Sequence, residues 1–229
     1  MSVKFIRNKS EDSLVWYACY GSNMDANRLA CYIQGGTPLG GARNYRGCDD
    51  KSMPTAETSM ELPYPLYFAG ESKVWTGGVA LIDSTISQQG TKGKAYLITS
   101  SQFEQVAAQE SGRDYATPVD IALLRHQGQL TIGDGSRSYD KVLYCGEYKQ
   151  YPVLTLTSPF PKQPYTKPSH AYIRVIVSGL QSTYKLTSNE IFEYLYLQPG
   201  ISGKYTEEEL SSVIARSLTG SLRWPDGLD

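Results

Sequence analysis

Short apolar runs separated by turn-forming residues dominate the pattern of hydrophobic and polar positions along this chain. Runs rich in aromatic or β-branched residues predict strands at residues 14–19, 66–69, 77–83, 93–98, 141–146 and 171–177. Apolar positions at helical spacing predict helices at residues 25–33, 101–110, 188–195 and 206–217. Because too few helices fall between strands for regular βαβ alternation, we expect an α+β fold with a mixed or antiparallel sheet, which a small β-barrel would also satisfy. Residues 49–64 and 148–168 show little periodicity and are expected to be surface loops.

The composition is that of a soluble globular protein, since 229 residues, 40% of them hydrophobic and 20% charged, can bury a sizeable core. The net charge is −1 and the Lys and Arg residues are scattered, so neither nucleic acid nor a membrane is an expected partner. Residues 1–12 lack an apolar core of signal-peptide length, and no later run is long enough to span a bilayer. The expected location is therefore cytoplasmic, and the expected oligomeric state is a monomer.

The cysteines and histidines give no metal motif. The four cysteines are too widely spaced for a disulfide framework or a Cys-x-x-Cys half-site, which favours buried thiols. The only histidines are His126 and His170, so a zinc site with several histidines is excluded. No metal is therefore expected.

The most informative segment is the pentapeptide from Tyr20 to Met24, which follows an apolar run and precedes a predicted helix. Gly21 allows a tight turn, and Asn23 or Asp25 can cap the helix. The free N–H groups of such a turn favour a carboxylate or an oxyanion. Two alternatives remain: an ordinary strand-to-helix connection, and a serine hydrolase in which Ser22 pairs with a histidine, although no Gly-x-Ser-x-Gly elbow is present.

The second chemical feature is Glu110, at the end of the helix predicted from residue 101. Ser101 and Glu104 fit a capping box with Glu104 directed to solvent, whereas the spacing from Phe103 puts Glu110 on the apolar face. Burial near the negative end of a helix should raise the pKa of this carboxyl and suit it to proton transfer. The alternative is a glutamate that reaches water or pairs with Arg113.

Several motifs in order make the sequence similar to the γ-glutamylcyclotransferase superfamily. The turn from Tyr20 to Met24 comes first, followed by Trp-Thr-Gly-Gly-Val-Ala from residue 75, the segment from Gly93 to Glu110, Pro-Ser-His-Ala-Tyr at 168–172 and Gly-Lys-Tyr-Thr-Glu-Glu from residue 203. Together these motifs span most of the chain. The resemblance implies one domain over residues 1–229 with loop insertions, built as a small β-barrel with peripheral helices.

The resemblance also implies a reaction, in which the α-amine of a γ-glutamyl amide attacks its own γ-carbonyl and releases 5-oxoproline. No cofactor is implied. Glu110 matches the family's catalytic glutamate, whose role is proton transfer. Tyr20, Gly21, Ser22 and Asn23 match the loop that binds the glutamyl group, and Tyr172, on the strand predicted at 171–177, matches a tyrosine that contacts it. The alternative on the same scaffold is a catalytically silent module that binds a γ-glutamyl group or 5-oxoproline.

The chain departs from the family pattern at two tyrosine positions. One falls near Thr155, and for the other only Tyr115 is a candidate, at an imperfect spacing. Residues 49–64 and 115–168 are expected to hold insertions that set the leaving amine. A γ-glutamyl dipeptide, a γ-glutamyl amine metabolite and an aminoglycoside-type intermediate all stay open, and acidic residues such as Glu57 and Glu61 would suit a cationic amine. Trp75, Gly77 and Gly78 are expected to be structural.

Overall fold

The computed structural model describes residues 13–38, 43–72, 74–160 and 164–219. Eight strands are formed by these residues: β1 Leu14–Cys19, β2 Ala56–Leu62, β3 Leu66–Ala69, β4 Val79–Ile82, β5 Thr91–Thr99, β6 Gln129–Thr131, β7 Lys141–Tyr148 and β8 Tyr151–Thr157. The α-helices are α1 Ala26–Gln34, α2 Ser100–Glu110, α3 Ile121–Gln127, α4 His170–Tyr184, α5 Ser188–Tyr196 and α6 Glu207–Thr219. The predicted α+β class is confirmed.

Six strands form one mixed sheet in the order β2-β5-β1-β8-β7-β6, and β3 and β4 form a separate two-stranded sheet. The β1–β8 pair is parallel, whereas the other pairs of the large sheet are antiparallel. The central strand β1 is almost entirely buried. This burial explains why its sequence is a continuous apolar run rather than an alternating one.

The predicted closed barrel is wrong, because the sheet is open at β2 and β6 within the described residues. β4 approaches β8 without joining the sheet. A side chain bridges the gap: Ile82 donates its N–H to Thr157 Oγ1 at 3.2 Å, and the Thr157 hydroxyl donates to the Ile82 carbonyl oxygen at 2.6 Å. Because the Thr157 hydroxyl satisfies both the N–H and the carbonyl oxygen of Ile82, these two groups need no backbone partner on β8.

The strand predicted at residues 171–177 is wrong, since this run lies inside helix α4. Its β-branched residues suggest a strand, but the buried side chains of Tyr172, Ile173, Ile176 and Leu180 recur at helical spacing. The Ser169 hydroxyl caps the helix by accepting the N–H of Tyr172 at 3.2 Å. Tyr172 therefore stands on the first turn of a helix.

The two segments predicted to be loops each contain a strand, namely β2 and β8. Pro152 made a strand look unfavourable around residue 151, but it pairs with Glu147 where the β7–β8 register shifts. Such an irregularity accommodates a residue without an N–H. Tertiary pairing therefore overrides a weak local signal.

The capping box of helix α2 lies two residues earlier in the chain than the predicted one. Thr99 and Gln102 form the box instead of Ser101 and Glu104. Glu104 is buried rather than directed to solvent, and its carboxylate accepts the N–H of Val119 at 2.8 Å. The helix nevertheless ends at Glu110, as predicted.

Candidate active site

The site forms where β1 and β8 end. Because these two strands are parallel neighbours, their carboxyl ends meet at the same edge of the sheet. The turn after β1 continues into a short 3₁₀ turn, Ser22–Met24. Asp25 then caps α1 by accepting the N–H of Asn27 at 2.8 Å, which confirms one of the two caps predicted.

Gly21 lets a tyrosine hydroxyl approach the turn. A Cβ atom at this position would lie 2.9 Å from the Tyr172 hydroxyl oxygen. That hydroxyl accepts the N–H of Ala80 at 3.2 Å, and the Trp75 ring packs 5.4 Å from the Tyr172 ring. Burial raises the pKa of Tyr172 to about 12, so its hydroxyl is neutral at physiological pH and can donate a hydrogen bond.

Glu110 contacts the same turn from helix α2. The Asn23 side-chain amide donates to Glu110 Oε1, and Tyr32 on α1 also hydrogen-bonds this carboxylate. Arg113, the alternative partner considered from sequence, pairs instead with Asp134 and Asp140. The two chemical features recognised in the sequence therefore meet in space.

The pKa of Glu110 is raised, and burial is the main cause. The Arg28 guanidinium and the hydrogen bonds from Tyr32 and Asn23 oppose this rise without cancelling it. Because its pKa is raised, this carboxyl group can gain and lose a proton at a pH closer to neutral than an exposed glutamate can.

Arg28 is itself buried on α1. Its Nη2 donates to the Tyr32 hydroxyl at 3.1 Å and to the Tyr45 hydroxyl at 2.5 Å, and its guanidinium lies 5.7 Å from the centre of the Trp75 ring. These contacts hold a positive charge beside Glu110. The sequence offered no signal for this role, because Arg28 looks like any polar residue of an amphipathic helix.

A small cavity of about 40 Å³ lies between these groups. All six residues singled out as catalytic or substrate-binding line it: Tyr20, Gly21, Ser22, Asn23, Glu110 and Tyr172. Tyr17, Tyr139 and Thr155 also line it and were not assigned to the site from sequence. Tyr17 lies on β1, just before the turn, whereas only tertiary contacts bring Tyr139 and Thr155 to it.

Tyr139 lines the cavity, whereas Tyr115, the candidate tyrosine considered from sequence, does not. Tyr115 is 72% exposed and does not line the cavity, whereas the Tyr139 hydroxyl donates to the Ala80 carbonyl oxygen at 3.0 Å. Tyr139 lies just before β7, after a segment that contains α3 and β6. That segment separates it from Glu110 in sequence and hides its spatial proximity.

Gly77 and Gly78 have the structural role predicted for them. A Cβ atom at either position would collide with the backbone carbonyl of Lys167 or Thr166, and the N–H of Gly78 donates to the Lys167 carbonyl oxygen at 3.0 Å. This close backbone approach holds the segment that leads into helix α4 and Tyr172.

Neither histidine lines the cavity, so no histidine meets Ser22. His170 is exposed and lies 2.9 Å from Glu209. The described residues contain no group of three or more His, Cys, Asp or Glu side chains arranged to hold a metal ion. Nor is any helix within the described ranges long and apolar enough to cross a membrane.

The fold and site together define an α+β protein whose mixed sheet carries, at one edge, a small tyrosine-lined cavity with one glutamate of raised pKa. No family model matches the sequence. The chain is 34% identical over 200 residues to histone deacetylase 5 of Arabidopsis thaliana. That alignment covers 79% of this chain and 30% of the relative, so the chain spans less than a third of the relative's length.

The solved structures similar to this chain include the following three. A γ-glutamyl cyclotransferase is 14% identical, with a TM-score of 0.47 and coverage of 89% of this chain and 99% of its own. An uncharacterized protein from Homo sapiens is 14% identical, with a TM-score of 0.48 and coverage of 88% and 98%. YkqA from Bacillus subtilis is 17% identical, with a TM-score of 0.44 and coverage of 83% and 57%. Similarities at this level assign no activity to this chain.

Proposed function

We propose that this chain catalyses the cyclisation of a γ-glutamyl amide, releasing 5-oxoproline and a free amine. The observation that carries this function is Glu110, a carboxyl of raised pKa that lines the cavity and accepts a hydrogen bond from Asn23 of the glycine-bearing turn. The reaction needs a proton acceptor beside a site for a glutamyl group, and this arrangement supplies both.

The proton balance requires only one shuttling group. Glu110 takes a proton from the substrate's ammonium group, and the freed amine attacks the γ-carbonyl to form the new C–N bond. Glu110 then gives this proton to the departing nitrogen as the tetrahedral intermediate breaks the original amide C–N bond. The regenerated carboxylate takes the second proton from the ring nitrogen, which becomes the lactam N–H, and passes it to the released amine, which leaves as an ammonium ion. General acid–base catalysis of this kind contributes roughly 10²–10⁴ in rate.

The turn supplies donors for glutamyl oxygens. The N–H groups of Met24 and Asp25 bond back to Gly21 and Ser22, whereas no backbone carbonyl among the described residues accepts the N–H of Ser22 or Asn23. We assign these two donors to the substrate's carboxylate or to the oxyanion of the intermediate.

We propose the substrate only as a class: a γ-glutamyl dipeptide, a γ-glutamyl amine metabolite or an aminoglycoside-type intermediate. The acidic residues of β2 provide little support for a cationic amine, because lysines already neutralise them. Glu57 pairs with Lys94 at 3.0 Å, and Glu61 pairs with Lys92 at 3.1 Å.

The direct test is release of 5-oxoproline, followed by mass spectrometry, from a panel of γ-glutamyl dipeptides, polyamines and aminoglycosides. Wild type should release it, and Glu110→Gln should lose about 10²-fold or more in turnover while remaining folded. Glu193→Gln makes the same chemical change at an exposed position and should retain the wild-type rate. An equal rate for Glu110→Gln would contradict the assignment, whereas binding of 5-oxoproline without any turnover would favour the silent module.

A further inference from the structure

Two buried polar atoms in the cavity lining have no hydrogen-bond partner among the described residues: Asn23 Oδ1 and Thr155 Oγ1. Asn23 is 3% exposed and Thr155 is fully buried. Native proteins leave few such groups unsatisfied, because burying a polar atom without a partner costs stability. Two of them at one cavity indicate a site for a polar ligand group.

Thr157, on the same strand and the same face, shows that β8 can satisfy a buried threonine. Its hydroxyl accepts the Ile82 N–H at 3.2 Å and donates to the Ile82 carbonyl oxygen at 2.6 Å. Thr155 lies two residues earlier, also on the cavity side of the strand, and has neither bond. The open hydroxyl of Thr155 is therefore not a general property of β8.

The free group of Asn23 is an acceptor. Its Nδ2 donates to Glu110 and, at 3.2 Å, to the Tyr17 hydroxyl, which leaves Oδ1 to receive a hydrogen bond. The Thr155 hydroxyl can also accept, and the Glu110 carboxylate only accepts when ionised. The cavity thus presents three acceptors on side chains that line it.

We propose that Thr155, Asn23 and Glu110 together bind the α-ammonium group of the γ-glutamyl substrate, an inference that rests on the proposed function. An ammonium group carries three N–H donors, which match the three acceptors. This placement holds the reacting nitrogen next to the carboxylate that removes its proton. Thr155 thereby becomes a substrate-binding residue of this chain.

The test compares three variants with wild type. Thr155→Val removes the hydroxyl and keeps the shape, Thr155→Ser keeps the hydroxyl, and Thr157→Val is the matched control on the same strand. The readouts are the melting temperature, kcat/KM for 5-oxoproline release, and the affinities for L-glutamine, which carries the ammonium group, and for 5-oxoproline, which lacks it.

Thr155→Val should melt at or above the wild-type temperature, since it removes an unsatisfied buried group. It should lose about tenfold in kcat/KM and in L-glutamine affinity, with a smaller change for 5-oxoproline, and Thr155→Ser should recover most of that loss. Thr157→Val should instead lower the melting temperature, because it breaks two hydrogen bonds to Ile82.

Turnover by wild type with unchanged kinetics in Thr155→Val would overturn the ammonium site alone. A fall in melting temperature similar to that of Thr157→Val would also overturn it, because that result would show a structural role. Thr155-dependent binding of L-glutamine without any release of 5-oxoproline would support the ammonium site and overturn the cyclotransferase function. Absence of both binding and turnover in wild type would overturn both.

Discussion

At the scale of single residues, two opposing effects act on the pKa of Glu110. Burial disfavours its charged form, while Arg28, Tyr32 and Asn23 stabilise that form. Because burial prevails, the folded protein binds the Glu110 proton more tightly than the unfolded chain does. The same imbalance that suits the residue to proton transfer should therefore reduce the stability of the folded state at neutral pH.

This imbalance predicts a pH-dependent difference in stability between wild type and Glu110→Gln. Below the unfolded pKa of about 4.5, the residue is protonated in both states and contributes no difference. As the pH rises through the unfolded and then the folded pKa, wild type loses stability that the glutamine variant keeps. Melting curves from pH 4 to pH 8 should show an increasing advantage for Glu110→Gln. A constant difference across this range would mean that the folded pKa is not raised.

At the scale of elements, the site depends on how closely helix α4 packs against the turn that follows β1. Gly179 lies in the middle of α4, and a Cβ atom there would come 2.5 Å from the Met24 Cβ atom. This close contact sets the distance from α4, which carries Tyr172, to the turn that carries Asn23. The packing therefore requires a glycine here, although glycine weakens a helix locally.

Gly179→Ala should therefore destabilise the protein, although alanine is the better helix former. Overpacking typically costs about 1–3 kcal/mol, which outweighs the gain of roughly 1 kcal/mol in helix propensity. Denaturant unfolding measures the loss, and Gln181→Ala on the exposed part of α4 serves as a control with little expected change. A gain in stability for Gly179→Ala would show that α4 can move away from the turn at little cost.

At the scale of the whole molecule, a buried ion pair joins the end of helix α2 to the segment before β7. Arg113 pairs with Asp140, whose side chain is fully buried, and with the exposed Asp134 at 2.8 Å. Asp140 follows Tyr139, which lines the cavity. The pair therefore links the end of the helix that carries Glu110 to the segment that carries Tyr139.

Arg113→Met should cost about 3–5 kcal/mol, because it leaves the Asp140 carboxylate buried without its partner. Arg125→Met is the matched control, since Arg125 pairs with Glu147 in an exposed position, where such pairs contribute at most about 1 kcal/mol. Chemical denaturation of both variants checks the contrast. Equal losses would mean that Asp140 finds another partner or takes up a proton.

The sequence by itself determined the features that depend on near neighbours. The apolar run of β1, the turn at Gly21 and the Asp25 cap follow from local backbone preferences, and the spacing within α2 directs Glu110 inward. The resemblance to the γ-glutamylcyclotransferase superfamily rests in part on two of these segments, the turn after β1 and the helix that ends at Glu110, and residues of both line one cavity.

Only the tertiary structure decided which distant residues complete that cavity. The parallel pairing of β1 with β8 brings Thr155 to the turn, and the segment holding α3 and β6 returns Tyr139 to it. The run at 171–177 becomes a helix because its apolar side chains are buried at helical spacing, whatever its strand propensity. Local patterns report preferences over a few residues, whereas strand order, sheet closure and cavity lining depend on contacts between segments far apart in the chain.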